Sequence, residues 1–192
     1  MKMTKAEIRT KFKTERQNLT PAQIRSASQK IHDWLFQSLP IHSYANIHIF
    51  LPIKEQNEID TWLIISTLQT DFSTNIIIPK SHKNGTLTNY RFTIRTQFEI
   101  NQWGISEPVH NEQLLVKSEE IDMVLIPLLA FDKKGYRVGY GKGFYDRFLA
   151  DCRPDVVKVG LSVFEPIDEI ADLNEFDIKM DFCITPNRVW QF

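Results

Sequence analysis

The sequence is poor in the residues that build metal centres and covalent frameworks. Its two cysteines, Cys152 and Cys183, are not in a CxxC spacing, which argues against a disulfide framework or a cysteine zinc site. The five histidines form no HxxxH pair, so a transition-metal centre is not expected. No apolar run reaches the roughly 18 residues of a membrane span, and the N-terminal stretch has no apolar signal region. We therefore expect a reduced, soluble, cytoplasmic protein.

An excess of charge of one sign is also missing. The formal net charge is −1, so no global field attracts nucleic acid or a membrane surface, and we expect a small-molecule partner and a monomer. The charges are nevertheless unevenly placed, since residues 1–20 are mainly basic and residues 165–181 mainly acidic. Such runs are usually solvated faces; the alternative is that each end supplies a few charges to one site.

Two capping boxes predict helices at the start of the chain. In "TKAE" Thr4 is the N-cap, and the residues Ile8, Phe12, Glu15 and Leu19 mark a modest inward stripe. In "TPAQ" Thr20 caps a second helix that continues to about residue 39.

Strand and helix patterns alternate through the rest of the chain. The strand patterns are residues 46–52, 75–79, 86–93, 122–131, 156–164 and 181–185, and the helical ones are 58–70, 111–116 and 144–152. The continuous apolar run 122–131 is typical of a strand covered on both faces. This order predicts an α/β fold in which residues 1–192 form a single domain, an open, mostly parallel sheet with helices on both faces in three α/β/α layers. Ligands of such sheets bind beyond the carboxyl ends of the strands.

A glycine-rich loop follows the apolar run. Four of the seven glycines lie between Gly135 and Gly143, where bare backbone allows successive N–H groups to converge on an anion. The start of the next helix adds partial positive charge, and Arg137 and Lys142 add full charges. The loop is neither a P-loop, because Gly143 follows the lysine, nor a GxGxxG turn. Polyphosphate binding is favoured, and a tight structural turn with incidental charge is the alternative.

Asp146 falls in the first turn of the helix after this loop. It is either a carboxylate that complements the helix dipole or a group that faces the phosphates through Mg²⁺, which typically binds one or two carboxylates together with phosphate oxygens. The residues themselves leave both interpretations open.

The stretch "LIPLLAFDKKGYRVGYGKGFYDRFL" closely resembles the signature of the 5-formyltetrahydrofolate cyclo-ligase family, also called 5,10-methenyltetrahydrofolate synthetases. The segments "KAEIR", "FLPIKEQNEIDT", "WGISEP" and "FDIKMDFCITP" resemble other parts of that family in the same order. The resemblance spans nearly the whole chain. It implies an ATP- and Mg²⁺-dependent conversion of 5-formyltetrahydrofolate to 5,10-methenyltetrahydrofolate, with release of ADP and phosphate.

The resemblance also implies roles for individual residues. Lys142 and Arg137 would stabilise charge on the transferred phosphoryl group and are the implied catalytic residues. Asp146 and Asp181 match the carboxylates that bind Mg²⁺. The implied ATP contacts are Lys5, Arg9, Arg137, Gly139, Tyr140, Gly141, Lys142, Gly143, Phe144 and Tyr145. The implied folate contacts are Leu51, Glu58, Trp103, Tyr140 and Phe144.

The sequence departs from the family pattern at a few positions. Leu128 follows Pro127 where the family usually has glycine, and Phe144 stands where tyrosine is common. The "KEQNE" stretch before Glu58 is longer than in some members, which leaves the register of Leu51 open. None of these departures removes a charge that the chemistry needs.

Two other functions stay open on the residues alone. One is a regulatory module that binds a nucleotide without turning it over. The other is a different ATP-dependent transferase on a similar scaffold, since a fold does not determine a function. Glu58 and Trp103 argue against the second, because a pterin site needs an acid and a ring partner.

Overall fold

The fold is built on one mixed β-sheet, seen in a computed structural model that describes residues 2–101 and 104–192. The helices are α1 (Lys5–Gln17), α2 (Pro21–Ser38), α3 (Trp62–Asp71) and α4 (Phe144–Ala150). The first strands are β1 (Asn46–Ile49), β2 (Asn75–Ser81), β3 (Leu87–Arg91), β4 (Phe98–Ile100), β5 (Ser106–Pro108) and β6 (Leu115–Val116). The later ones are β7 (Met123–Pro127), β8 (Ala130–Phe131), β9 (Arg137–Val138), β10 (Val157–Leu161), β11 (Phe182–Ile184) and β12 (Val189–Gln191).

The main sheet has eight strands in the order β12-β11-β10-β7-β1-β2-β3-β6. Its five central strands, from β11 to β2, are parallel, whereas β12, β3 and β6 pair antiparallel at the two ends. Two separate ribbons, β4–β5 and β8–β9, lie outside it. The expected α/β fold with a mostly parallel sheet is confirmed.

Helices cover both faces of this sheet. Strand residues alternate between the faces, so Ile76 and Ile78 of β2 pack in the cluster that contains residues of α2 and α3, whereas Ile77 packs with α4. The α4 layer is thin, with Phe148 and Leu149 as its buried residues. Among the helices of residues 2–101 and 104–192, none is long and apolar enough to cross a membrane.

The helix α1 packs beside the sheet, against the β8–β9 ribbon. Both predicted capping boxes are present, at Thr4 and at Thr20. Ile8 and Phe12 are buried as expected, but the third buried residue of α1 is Arg16. The buried face of α1 therefore consists of every fourth residue and ends with Arg16. This cation can be buried because its side chain donates to polar atoms of neighbouring segments.

The apolar run 122–131 is not the single strand that the sequence predicts. It divides into β7, which ends at Pro127, and β8, which pairs with β9 outside the main sheet. Proline has no N–H with which to extend a ladder, and the backbone N–H of Leu129 donates instead to the carbonyl of Val138 (2.8 Å). Of the glycine-rich stretch, Gly135 consequently lies in the turn between β8 and β9, and the loop itself, residues 139–143, begins after β9.

Other boundaries differ by a few residues. The helix predicted at 58–70 begins only at Trp62, and the helical pattern 111–116 is a 3₁₀ turn, Glu112–Leu114, followed by β6. Short strands such as β5 and β9 have two or three residues, too few for a periodic pattern to emerge.

His48 of β1 is a buried imidazole with no hydrogen-bond partner at either nitrogen among the described residues. Its ring packs against Phe148, with ring centroids 4.6 Å apart, and Tyr145, at 5.9 Å. Burial lowers the pKa of His48 from 6.5 to about 3. The neutral ring therefore acts as part of the apolar contact between β1 and α4.

This burial makes a prediction for acid stability. Between pH 6.5 and about pH 3 the unfolded chain binds a proton at His48 that the folded chain does not, so stability is lost as the pH falls, by up to about 1.4 kcal/mol per pH unit. A His48→Phe variant should lose less stability than the wild type between pH 6.5 and 4 in urea unfolding. Exposed His42, changed to Gln, is the control. Parallel pH curves for His48→Phe and the wild type would contradict the assignment.

Candidate active site

A large cleft lies beyond the carboxyl ends of the central strands. Its volume is about 1120 Å³. Phe50 and Leu51 reach it just after β1, Ser81 at the end of β2 and Pro127 at the end of β7. The opposite wall is formed by α1, the loop 139–143 with the first turn of α4, and residues 174–178. The cleft is thus where an open α/β sheet binds its ligands.

The glycine loop 139–143 is held by side chains of two helices. Arg9 of α1 donates from Nε to the carbonyl of Gly139 (3.1 Å). Arg147 of α4 donates to the carbonyl of Lys142 and, from Nε, to that of Gly85 in the β2–β3 turn (2.9 Å). The loop therefore has fixed ends although most of its residues lack side chains.

Two ion pairs lie in the cleft next to the loop. Arg137 donates to Asp146 (2.6 Å), and Lys5 contacts Asp177 (2.6 Å). Arg137 is only 8% exposed and also donates to the carbonyl of Ile178 (2.6 Å). Its burial lowers its pKa, an effect that the carboxylates of Asp146 and Asp177 oppose. Both carboxylates thus act on one guanidinium, which stays charged.

A buried acid forms the other end of the cleft. Glu58 is 6% exposed, and its two oxygens accept from the backbone N–H of Ile53 (2.8 Å) and from the hydroxyl of Tyr140 (2.6 Å). Burial raises the pKa of Glu58, and the hydrogen bond from Tyr140 and the charge of Arg16 oppose that rise. Leu51 lines the same region. A carboxylate beside apolar walls can accept from the N–H edge of a flat ring.

The structure brings nearly all of the predicted residues into this one cleft. Those that line it are Lys5, Arg9, Leu51, Glu58, Arg137, Gly139, Tyr140, Gly141, Lys142, Gly143, Phe144, Tyr145 and Asp146. Trp103 lies outside the described residues.

Asp181 is the predicted residue that the structure does not bring to the cleft. It precedes β11, where it accepts from the backbone N–H of Lys158 (2.7 Å) and pairs with Lys158 Nζ (2.9 Å). Because β11 runs parallel to the central strands, its start lies at the edge of the sheet opposite the cleft. Asp177, four residues earlier in the same acidic segment, lines the cleft instead. The pairing of Asp146 with Asp181 in one site is therefore corrected.

The acidic segment 165–181 has two different roles along its length. Asp168 and Glu169 pair on the surface with Lys133 and Lys134, as expected of a solvated face. Residues 174–178 contribute to the cleft. The earlier part of the run is thus a solvated face, and its later part contributes charge to the cleft.

Some cleft residues were missed from the sequence. Glu107 of β5 is 3% exposed and accepts from the backbone N–H (2.9 Å) and hydroxyl (2.6 Å) of Ser81. It belongs to the quoted "WGISEP" segment, which was its only signal. Arg147, which also lines the cleft, gave none, because a helical arginine is ordinarily exposed. Arg16, which lies behind the cleft and contacts Tyr140, was missed for the same reason.

Gly141 is a position where the loop needs glycine. Its φ is +91°, and an added Cβ would lie 3.2 Å from the Arg9 guanidinium. A Gly141→Ala variant should lose about 1–2 kcal/mol of unfolding free energy, as expected for a left-handed residue with a side chain. The matched control is Gly139→Ala, because a Cβ there meets nothing within 4 Å and φ is not in the left-handed region. Equal denaturant midpoints for the two variants would contradict this account.

The fold and the cleft define an α/β protein with a candidate site in two parts, one lined by glycines and cations and the other by a buried acid and apolar side chains. A profile of the 5-formyltetrahydrofolate cyclo-ligase family matches residues 1–186. The 5-formyltetrahydrofolate cyclo-ligase of Haemophilus influenzae is 33% identical over 159 residues, which are 81% of this chain and 83% of that protein. That of Escherichia coli is 26% identical over 184 residues, 94% of this chain and 100% of that protein.

Solved structures of 5,10-methenyltetrahydrofolate synthetases are also similar to this chain. The NMR structure of Aquifex aeolicus 5,10-methenyltetrahydrofolate synthetase superposes with a TM-score of 0.77 and 28% identity, covering 98% of this chain and 93% of that one. The Mycoplasma pneumoniae 5,10-methenyltetrahydrofolate synthetase gives 0.72 and 25%, covering 95% and 98%. The chain belongs to the 5-formyltetrahydrofolate cyclo-ligase family. It is an enzyme of folate one-carbon metabolism that converts 5-formyltetrahydrofolate to 5,10-methenyltetrahydrofolate, and its family is one of ATP-dependent ligases.

Proposed function

We propose that the cleft holds ATP and 5-formyltetrahydrofolate side by side, with the phosphates at the glycine loop and the pterin ring at Glu58. One observation carries this arrangement: the hydroxyl of Tyr140, a loop residue, donates to Glu58 across 2.6 Å. The phosphate-suited loop and the buried acid are therefore in direct contact. Two substrates that occupy these two places meet where the loop passes between them.

The ATP end of the cleft is rich in cations. Lys5 and Arg9 project from successive turns of α1, at the i,i+4 spacing that puts both on one helical face. Arg137 and Lys142 face the same cleft and would stabilise the charge of the transferred phosphoryl group. The backbone of Gly139, Gly141 and Gly143, with Tyr140, Phe144 and Tyr145 between and after them, completes the proposed ATP contacts.

The folate end combines one acid with apolar and aromatic side chains. Glu58 would accept from the N–H donors of the pterin, and Leu51, Tyr140 and Phe144 would pack on its ring. Trp103 stays a proposed folate contact on the strength of the sequence resemblance.

The charges next to the loop fit a magnesium ion that arrives with ATP. Within residues 2–101 and 104–192 no group of three or more His, Cys, Asp or Glu side chains could hold a metal, so phosphate oxygens would supply the remaining ligands, as is usual for Mg²⁺. Asp146 and Asp177 are the carboxylates that would hold it. Bound there, the ion would neutralise charge on the phosphate oxygens. If Asp146 and Asp177 bind the ion, the phosphates of ATP would become the anions next to Arg137 and Lys5. Neither cation would then be left without a counter-charge.

The chemistry begins with an unreactive amide, the N5-formyl group. Its oxygen attacks the γ-phosphorus of ATP, the bond from that phosphorus to the ADP oxygen breaks, and a phosphorylated imidate forms. N10 then attacks the formyl carbon and loses its proton, the C–O bond breaks with phosphate as leaving group, and the ring closes as the methenyl cation. The protein contributes position and charge stabilisation. No side-chain nucleophile is needed.

One chain can supply all of the proposed contacts, and the monomer expected from the sequence stays a prediction. Residues from both ends of the chain, Lys5 and Asp177 among them, meet in the cleft. This closure supports the expectation that residues 1–192 form a single domain.

Turnover is the direct test. Purified protein given 5-formyltetrahydrofolate and MgATP should produce the methenyl product, followed by its absorbance. Lys142→Ala should lower kcat/KM by about 100-fold or more, since it removes a charge that acts on the transition state. Lys133→Ala is the control, because that lysine pairs with Asp168 on the surface.

Absence of product under MgATP, with ATP binding retained, would favour the non-catalytic nucleotide module. Full turnover by Lys142→Ala would refute the role given to that lysine and leave the rest of the proposal in place.

The metal assignment distinguishes Asp177 from Asp181, two aspartates of the acidic segment 165–181. Asp146→Asn and Asp177→Asn should each raise the Mg²⁺ concentration for half-maximal activity by about tenfold, because each removes a proposed ligand charge. Asp181→Asn, at the opposite edge of the sheet, should leave the titration curve where it is. A shift with Asp181→Asn and none with Asp177→Asn would reverse the assignment.

A further inference from the structure

Arg16 is a buried cation without a place in the function described above. It lies in the last turn of α1 with 4% of its surface exposed. Nη1 donates to the carbonyl of Leu128 (3.3 Å) and Nη2 to the hydroxyl of Tyr140, whereas Nε has no partner among the described residues. A buried charge is strongly unfavourable unless it is paired. Its burial here points to a specific counterpart.

That counterpart is Glu58, reached through Tyr140. A guanidinium can only donate, so the Tyr140 oxygen accepts from Arg16, and its single proton is then available for Glu58. The observed 2.6 Å bond from Tyr140 to Glu58 Oε1 completes the chain. Glu58 Oε2 is held separately by the backbone N–H of Ile53. In this series of hydrogen bonds the guanidinium can only donate and the hydroxyl has one proton to give. The Glu58 carboxylate is therefore held in a single orientation.

The charges around Glu58 come from few groups. The ionisable side chains that act on it are Arg16 from α1, Tyr140 from the glycine loop and Tyr145 from α4. Arg16 is the cation among them. Its charge opposes the rise that burial causes in the pKa of Glu58, so it favours the carboxylate that accepts hydrogen bonds.

We propose that Arg16 is a positioning residue for the folate site, which holds the Tyr140 hydroxyl so that Glu58 presents its carboxylate to the pterin in one orientation. The inference rests on the proposed function, in which Glu58 and Tyr140 contact the folate. In this proposal Arg16 does not contact the folate; it acts through its hydrogen bond to Tyr140.

A purely structural role would use other contacts. The carbonyl of Arg16 accepts from Asn57 Nδ2 (3.0 Å), and Nη1 is bound to Leu128. These two bonds anchor the end of α1 without Tyr140. The third bond, from Nη2 to the phenol, is the one that links the helix to the candidate site, and a test has to distinguish it from the anchors.

The experiment compares Arg16→Met and Arg16→Lys with the wild type, varying each substrate separately across pH. Arg16→Met should raise KM for 5-formyltetrahydrofolate by about tenfold, as expected for a lost charge-assisted hydrogen bond, with KM for ATP within about twofold. The acid limb of kcat/KM for the folate should move to higher pH, because Glu58 without the cation protonates more readily. Arg16→Lys keeps a cation and should restore part of both changes. Lys11→Met, on the exposed side of α1, is the control.

A double-mutant cycle with Tyr140→Phe tests the route. Once the phenol is gone, Arg16→Met should add little to the folate KM. Additive effects would overturn the link through Tyr140. A lower melting temperature with unchanged folate KM and pH profile would also overturn the proposal and leave Arg16 an anchor, as would equal rises in both KM values. If Arg16→Met does not fold, Arg16→Lys and the cycle built on it give the same discrimination.

The two levels of inference can be separated. A wild-type protein that makes no methenyl product would remove the proposed function and this inference together. A wild-type protein that turns over normally, beside variants with unchanged folate kinetics, would remove this inference alone.

Discussion

The hydrogen bond between the Tyr140 hydroxyl and the Glu58 carboxylate is the contact on which the candidate site depends. It connects a loop that has almost no side chains of its own to an acid buried at the end of the sheet. A glycine-rich segment has large conformational freedom, so it needs external contacts to keep one shape. Tyr140 supplies one of them, and Arg9 and Arg147 supply two more. The order of the loop is imposed by its neighbours.

Compensation of charge is the second constraint. The cleft and the residues directly behind it gather several cations into partly buried positions, where each would be unfavourable alone. Arg137 is balanced by Asp146, Lys5 by Asp177, and Arg16, through a phenol, by Glu58. Through this pairing, a protein with a net charge of −1 can gather cations at the place where we propose that the phosphates of ATP bind. The pairing also explains why the acidic segment 174–178 lies beside the basic helix.

Periodicity and capping predicted the larger part of the fold. Both early helices start at their capping boxes, and the parallel core follows the alternation of strands and helices. The division of the run 122–131 could not be predicted, because it depends on what Leu129 bonds to once Pro127 ends the ladder. Hydrophobic pattern alone is the same for one strand and for two that point in different directions.

The site residues were predicted by family resemblance more than by pattern. Lys5, Glu58 and the loop 139–143 line one cleft as that resemblance implies. The acidic segment shows the limit of such reasoning, since Asp177 and Asp181 are only four residues apart and alike in chemistry. Which one faces the cleft is decided by where β11 begins. Arg16 was missed because its burial depends on Leu128 and Tyr140, residues more than one hundred positions away.

The ion pair of Lys5 with Asp177 joins residues 172 positions apart. During synthesis, when domains form from the N-terminus onward, α1 is complete long before its acidic partner exists. Lys5 therefore has no acidic partner in the cleft until nearly the whole chain has been made. The cleft can be completed only after that point, and a chain that stops before the acidic segment lacks one wall of the site.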